Sequence, residues 1–360
     1  MKRPERGRML RLRLLMKEKG ISALLVTRQE NVRYLTGFTG SSGSVLVTGG
    51  RSSLITDFRY RLQSRREASG IAVVIQKTDW ARAVRDTAAR AGADTLWFDE
   101  SSLTLDRIKK LRQPGLRLKG YRDLVGELRQ RKDEQELASI RKAIARAEGS
   151  FRELKKYIRP GAVERELGLK LEFLMREKGS RKAAFDPIVA SGRNGAMPHA
   201  SVSDRRIKQG DLVTIDFGAE ADGYFCDITR TLSVGKPTPR QREIHDLVLR
   251  AQQAAIATAR PGVPCKSVDK AARELITAAG QGKHFGHATG HGAGLMVHEG
   301  PSLSALSREK VGQGMVFTVE PGVYIPGWGG VRIEDMVYIT ENGAKVLTTL
   351  PKELESLKSL

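Results

Sequence analysis

Residues 211–338 carry the acids and histidines whose types and spacing can do chemistry. The run DLVTIDFGAEADGYFCDITRTL alternates apolar and polar positions on both sides of Asp222-Gly223, a dipeptide that favours a two-residue hairpin turn. A turn there sets Asp216 opposite Thr229 and Asp227 opposite Gly218. The two aspartates then project from one face as diagonal neighbours, roughly 7–8 Å apart. Like charges so close repel, and apolar flanks desolvate both. Something positive must sit between them.

Downstream, GHATGHGAGLMVHEGP supplies His287, His291, His298 and Glu299 in a glycine-rich run. The β-like segments MVFTVEPGVYI and VRIEDMVYIT each place one acid inside apolar alternation, Glu320 and Glu334. In the second, Val331, Ile333, Val337 and Ile339 share a face and Glu334 points to the other. An aspartate alone in a strand is ordinarily solvated, and a single loop histidine ordinarily does nothing. Four acids in otherwise apolar strands, with a GHG turn beside them, are not accounted for by surface chemistry. Four carboxylates and an imidazole form a hard, oxygen-dominated site suited to two divalent cations, with Mn or Co favoured and Zn allowed.

The set Asp216, Asp227, His291, Glu320 and Glu334, within the strings IDFG, CDITRT, TGHGAG, HEGP, VEPG and RIED, resembles the pita-bread metallopeptidases. Within them it is similar to the Xaa-Pro aminopeptidases and prolidases, over nearly the whole chain. The resemblance implies that these five residues are the metal ligands, and that Glu320 also shuttles a proton. It implies that His199 and His298 hydrogen-bond the substrate carbonyl, that His287 contacts the residue at the scissile bond, and that Arg332 orients ligand carboxylates or makes an ordinary salt bridge. A homodimer, and peptide substrates with proline at the second position, follow from the same likeness. Proline makes a tertiary amide without N–H, so a hydrolase that needs that hydrogen fails where a metal-activated water does not.

In short prolidases resembling this chain an arginine follows HE-x-P, the natural group for a free carboxylate. Here Ser302 follows His298-Glu299-Gly300-Pro301. The expectation is therefore an Xaa-Pro aminopeptidase acting on peptides of three or more residues. The alternative is an Xaa-Pro dipeptidase, in which Arg308, or an arginine of the N-terminal domain or of a dimer mate, would take the missing role. Three further readings compete. A creatinase-like enzyme has no use for five metal ligands, and a methionine aminopeptidase normally lacks an N-terminal domain. A non-catalytic pita-bread protein that binds nucleic acid or other proteins has only the net charge of +21 in its favour.

Behind these residues stand the elements that must position them. A chain of 360 residues, 40% hydrophobic and 29% charged, suits two globular domains. Residues 1–128 read as an α/β domain with a mixed sheet, of creatinase/prolidase N-terminal type. A helix spans 8–19, with Met9, Leu12, Leu15 and Met16 at helical spacing, and Gly20 ends it. The strand ISALLVT follows, then NVRYLTGFTGSSGSVLVTGGRSSLIT as loop, strand, Gly-Gly turn and strand. IAVVIQ and TLWFDE read as strands, WARAVRDTAARAG and SLTLDRIKKLR as helices. The SSGS loop matches neither phosphate-loop nor dinucleotide spacing. A polar stretch over 124–132 marks the boundary.

Residues 129–360 read as an α+β pita-bread catalytic domain with a curved antiparallel sheet. Helices are expected over 133–158, 164–178, 239–259 and 267–279, in two pairs, with a loop carrying His199 before the hairpin. The densest basic patches, 2–19 and 129–146, lie on helices interleaved with core-facing Leu, Ile and Ala. No zinc-finger spacing or RNP-like aromatic motif accompanies them, so nucleic acid is not an expected partner. Cys226 and Cys265 lack CxxC spacing and read as reduced thiols, with Cys226 open to oxidation beside a ligand. No apolar run reaches membrane-spanning length and no signal peptide is apparent, so a cytoplasmic location is expected.

Overall fold

A computed structural model describes residues 4–68, 70–77 and 79–357. The chain divides into two compact units, 1–129 and 130–360.

The first unit runs α1 (Pro4–Glu18), β1 (Ala23–Val26), α2 (Gln29–Thr36), β2 (Ser44–Thr48), β3 (Ser52–Thr56), α3 (Arg61–Glu67), β4 (Ala72–Ile75), α4 (Trp80–Arg90), β5 (Thr95–Asp99), α5 (Leu105–Leu111), β6 (Arg117–Tyr121) and α6 (Leu124–Arg129). Its six strands form one sheet in the order β4-β3-β2-β1-β5-β6. The sheet is mixed, with β1 antiparallel to β2 and parallel to β5. Leu25, Leu46, Ile55, Val84 and Leu96 meet in its core. Two expectations are corrected. The segment expected as a loop before β2 is the helix α2, which buries Val32, Tyr34 and Leu35 and closes on Gly37 at φ 75°. At eight residues it is too short for periodicity to declare itself. The polar stretch at 124–132 holds α6, whose Leu124 and Val125 are buried.

The second unit opens with α7 (Glu134–Leu154), capped reciprocally by Asp133 and Glu136, and continues with α8 (Glu164–Glu177) and β7 (Ile188–Ser191). The hairpin follows as β8 (Leu212–Phe217), β9 (Glu220–Ala221), β10 (Tyr224–Phe225) and β11 (Ile228–Val234). Next come α9 (Pro239–Thr258), α10 (Cys265–Ala278), β12 (Gly290–Gly292), β13 (Glu299–Leu303), β14 (Val316–Val319), β15 (Gly322–Ile325), β16 (Gly329–Arg332), β17 (Asp335–Thr340), β18 (Gly343–Val346) and β19 (Ser356–Leu357). One sheet has the order β19-β11-β8-β7 and another β13-β12-β14-β17-β18. Pairing is antiparallel throughout except where β19 joins β11 in parallel. Phe317, Val331, Ile333, Val337 and Ile339 pack in one core with Val248 and Ala251 of α9 and Val268 and Ala272 of α10.

The hairpin register is the expected one: Asp216 faces Thr229 and Ala221 faces Tyr224. Asp222 and Gly223 both have positive φ, 52° and 83°, the geometry of a type I′ turn. The ladder lapses at Gly218 and at Asp227, however. The segments expected to be continuous through Glu320 and Glu334 also break, between β14 and β15 and between β16 and β17. Three of the four acids thus stand where pairing is interrupted, which frees the backbone to aim a side chain.

Candidate metal centre

The hairpin brings Asp216 and Asp227 together, and the break after Arg332 delivers Glu334 to them. One carboxylate oxygen from each of the three lies within 4.8 Å of the others. Single ligand atoms of His291, Glu320 and Glu334, and of Asp227, His291 and His298, converge within the same distance. His291 Nε2 is 3.4 Å from Glu320 Oε1 and 3.6 Å from Asp227 Oδ2. Glycine on both sides of His291 is a packing requirement. A Cβ at Gly290 would lie 2.0 Å from Thr318 O, and one at Gly292 would lie 1.9 Å from Gly300 O. The Thr318 hydroxyl of β14 accepts the His291 N–H at 3.1 Å.

Each group is held on one side and left open on the other. Arg332 Nη2 donates to Asp216 Oδ2 at 2.6 Å, and the Thr229 hydroxyl donates to Glu334 Oε2 at 2.8 Å. Arg332 Nε in turn donates to the Thr229 oxygen at 3.0 Å. Asp216 Oδ1, Asp227 Oδ1 and Glu334 Oε1 are buried and have no hydrogen-bond partner among the described residues. His291 Nδ1 is 3.1 Å from Gly292 O. A carbonyl only accepts, so the proton sits on Nδ1 and the Nε2 lone pair faces carboxylates. A lone pair facing carboxylates, with three buried carboxylate oxygens unpartnered on converging residues, makes a donor set for cations, so the residues fit a metal site.

The same geometry sets the protonation of the empty-handed groups. Burial, reinforced by Glu334 and Asp216, pushes Asp227 well above the usual carboxylate range. Burial and the charges of Glu320 and Asp216 do the same to Glu334. Burial raises Glu320 to about 7, with Arg332 opposing. Burial lowers His291 and His287 to about 4, so both imidazoles are neutral at pH 7. The upward carboxylate shifts are those expected where buried anions crowd one another, and the downward imidazole shifts are those of burial.

The remaining expected residues line a cavity of about 790 Å³ that opens onto the cluster. His199 and His298 stand on its wall with His287, Arg332, Arg165 and Glu172. The His298 ring tilts against His291 at 4.2 Å between centroids. Arg332 Nη1 donates to Pro198 O at 3.2 Å, which tethers the His199 loop. His287 Nε2 is 2.9 Å from the hydroxyl of Tyr324, and Arg332 Nη1 donates to that hydroxyl at 2.8 Å. Arg273 of α10 donates to the His287 carbonyl at 2.8 Å. Glu299 turns away from the cluster and pairs with Lys132 at 2.9 Å, both buried. Tyr324 and Thr229 were not legible as site residues, since a tyrosine and a threonine in strand alternation carry no mark of function. Cys226 is fully buried. Burial pushes its thiol up, which holds it protonated and removes the basis for the expected oxidation.

Residues 138–341 match the model of metallopeptidase family M24, and residues 8–131 match the creatinase/prolidase N-terminal domain. An Xaa-Pro dipeptidase of Pyrococcus horikoshii is 39% identical over 94% of this chain and 96% of its own length. The structure of an Xaa-Pro dipeptidase from Bacillus anthracis superposes with a TM-score of 0.95 at 39% identity, covering 98% of this chain and 100% of that one. That of an X-Pro aminopeptidase from Thermotoga maritima MSB8 does so with a TM-score of 0.88 at 37% identity, covering 95% and 99%. This chain belongs to metallopeptidase family M24 and carries that family's catalytic unit behind a creatinase/prolidase N-terminal domain. The pita-bread fold expected from the motifs is the fold found. Among the described residues, no helix is long and apolar enough to cross a membrane.

Proposed function

We propose that this metallopeptidase is an Xaa-Pro aminopeptidase, which hydrolyses the bond before a proline in second position and releases the first residue. What supports the metal chemistry is the convergence of ligand atoms from Asp216, Asp227 and Glu334, and from His291, Glu320 and Glu334, while one buried oxygen on each of Asp216, Asp227 and Glu334 has no hydrogen-bond partner among the described residues. Asp216, Asp227, His291, Glu320 and Glu334 would hold two divalent cations, Mn or Co before Zn on this donor set. Bound there, the cations would offset the buried negative charge, lower the pKa of water and polarise a carbonyl.

The chain's own groups do the rest. The Glu320 carboxyl, which lines the cavity beside His291, takes the proton of the attacking water and returns it to the proline nitrogen. His199 and His298, on the cavity wall, donate to the substrate carbonyl oxygen as it gains charge. His287, fixed by Tyr324, touches the residue at the scissile bond, and Arg332 keeps Asp216 turned inward. Phe185, Pro187, Ile188, Ala200 and Val202 give the cavity an apolar wall that can cup a proline ring.

Ser302 supports the aminopeptidase reading. It is exposed, and its N–H donates to Glu309 at 3.2 Å. It offers no charge to a carboxylate directly after proline. Arg308 is exposed and outside the cavity wall. The dipeptidase reading has its own support in the names of two of the relatives and in Arg165, which lines the cavity but pairs with Asp204 at 2.5 Å. The ratio of kcat/KM for Xaa-Pro-Yaa to that for Xaa-Pro, with the same first residue, decides between them. We expect the tripeptide to be favoured and Ser302→Arg to shift the ratio toward the dipeptide. A clear dipeptide preference in the unaltered enzyme establishes the other reading.

A further inference from the structure

Glu334 is followed by Asp335, and through Arg230 both are tied to the C-terminal segment 347–357. Arg230 is 3% exposed and uses every N–H of its guanidinium. Nη1 donates to the carbonyls of Thr229 at 2.9 Å and Glu334 at 2.6 Å. Nη2 donates to Asp335 Oδ1 at 2.7 Å and to Leu350 O at 2.8 Å, and Nε donates to Pro351 O at 2.8 Å. The segment adds its own ties. The Thr348 hydroxyl reaches Asp335 at 2.5 Å, and Lys352 Nζ pairs with the other Asp335 oxygen at 2.5 Å. Buried Glu148 of α7 receives the N–H groups of Thr349 and Leu350. Lys155 pairs with Glu355 at 2.8 Å, and β19 then joins β11.

Residues 347–357 contribute nothing to the cavity wall, whose last member along the chain is Arg332. Anchoring a segment does not need this machinery. A buried ion cluster is often no more stabilising than an apolar plug of the same volume. What an apolar plug could not do is fix the direction of two particular carbonyls. Arg230 grips the carbonyls of Thr229 and Glu334, and the Glu334 N–H donates to the same Thr229 carbonyl at 3.1 Å. This clamp acts at the gap between β16 and β17, where no ladder holds the backbone. It also fixes the residue whose hydroxyl holds Glu334 Oε2.

We infer that segment 347–357, acting through Arg230, is a positioning element for the metal centre that keeps Glu334 Oε1 aimed at the oxygens of Asp216 and Asp227. The inference rests on the metal reading proposed above. A lysine retains the charge but lacks the planar fork needed to hold both carbonyls and the segment together. Glu148→Gln acts on the segment through the N–H groups of Thr349 and Leu350 and leaves the Arg230 guanidinium intact.

The experiment is calorimetric titration with Mn²⁺ of the full-length metal-free protein. The wild type is compared with Arg230→Lys, Glu148→Gln and Val84→Ala. Val84 is fully buried in the first unit, so the last variant is a control for destabilisation alone. Arg230→Lys is expected to weaken Mn²⁺ binding roughly 10- to 100-fold, the effect typical of groups that orient ligands. Glu148→Gln shifts it in the same direction by a smaller factor, and Val84→Ala lowers the melting temperature with affinity unchanged. If Arg230→Lys does not fold, Glu148→Gln carries the test. Wild-type affinity in the folded variants overturns the inference, as does an equal loss in Val84→Ala. A wild type that binds no Mn²⁺ overturns the metal reading itself, and this inference with it, so the two failures are told apart.

Discussion

Glu334 and Asp335 are neighbours in the chain and nearly equally buried, at 1% and 0% exposure, yet their surroundings are opposite. Asp335 meets Arg230, Lys352, Gln252 and Thr348. Burial alone would raise its pKa, but Arg230 and Lys352 outweigh it and the net shift is downward. Glu334 meets Asp216, Asp227 and Glu320, keeps one oxygen unpartnered, and is pushed up. A buried carboxylate supplied with protein cations is part of the architecture. One crowded by other anions, with one oxygen left unpartnered, marks a place for a cation from outside.

The strongest way to break this contrast is to neutralise the two acids separately. Glu334→Gln, like Asp227→Asn and Asp216→Asn, should abolish hydrolysis and lower bound metal, measured by elemental analysis of the purified variants. In the metal-free protein the same Glu334→Gln should leave the melting temperature unchanged or raise it, because it removes a repelled charge. Asp335→Asn should instead destabilise that protein by about 3–5 kcal/mol, the usual effect of breaking a buried pair. Denaturant unfolding of both variants without metal measures the difference. A similar loss from both would erase the distinction.

His199→Ala and His298→Ala come next. Each is expected to lower kcat by roughly 10²–10³ through loss of one donor to the developing oxyanion. Metal content should stay closer to wild type than in the carboxylate variants. Since His298 also lies within ligand distance of Asp227 and His291, a large metal loss in His298→Ala alone would move it into the ligand set.

The smallest expected effect is a dependence on pH that metal abolishes. In the metal-free site Glu320 is raised from 4.5 to about 7. Its contribution to stability is fully present below about pH 4.5 and is lost as pH rises through about 7. Asp227 and Glu334 act in the same sense. His291 and His287, lowered from 6.5 to about 4, contribute stability present above about pH 6.5 and lost as pH falls toward 4. From about pH 6.5, where the histidine contributions are complete, the melting temperature of the metal-free protein should therefore fall as pH rises through about 7. The Mn²⁺-loaded protein should show a much flatter profile, and parallel curves for the two forms would refute the assignment.

Much of the site could be read before any coordinates, because its signals are local. Asp222-Gly223 sets the hairpin register from two residues, and that register alone puts Asp216 opposite Thr229. Acids interrupting apolar alternation identify themselves, since burial of an unpaired charge is costly. The five-residue set in its local strings was enough to point to the family. The breaks at Glu320 and Glu334 were hidden because alternation continues across them. Helix α2 was hidden because eight residues carry too little period.

The sequence by itself determined the candidate donors, the hairpin register and the family, because each depends on residue type and short-range spacing. Only the tertiary structure decided that Glu334 belongs to an open anion cluster while Asp335 is closed by Arg230 and Lys352. That choice depends on which charges arrive from residues about a hundred positions away or from the end of the chain. It was likewise the fold that made Tyr324 and Thr229 part of the site and sent Glu299 to Lys132. Hydrogen-bond partners across distant strands are fixed by packing, and a one-dimensional pattern does not contain them.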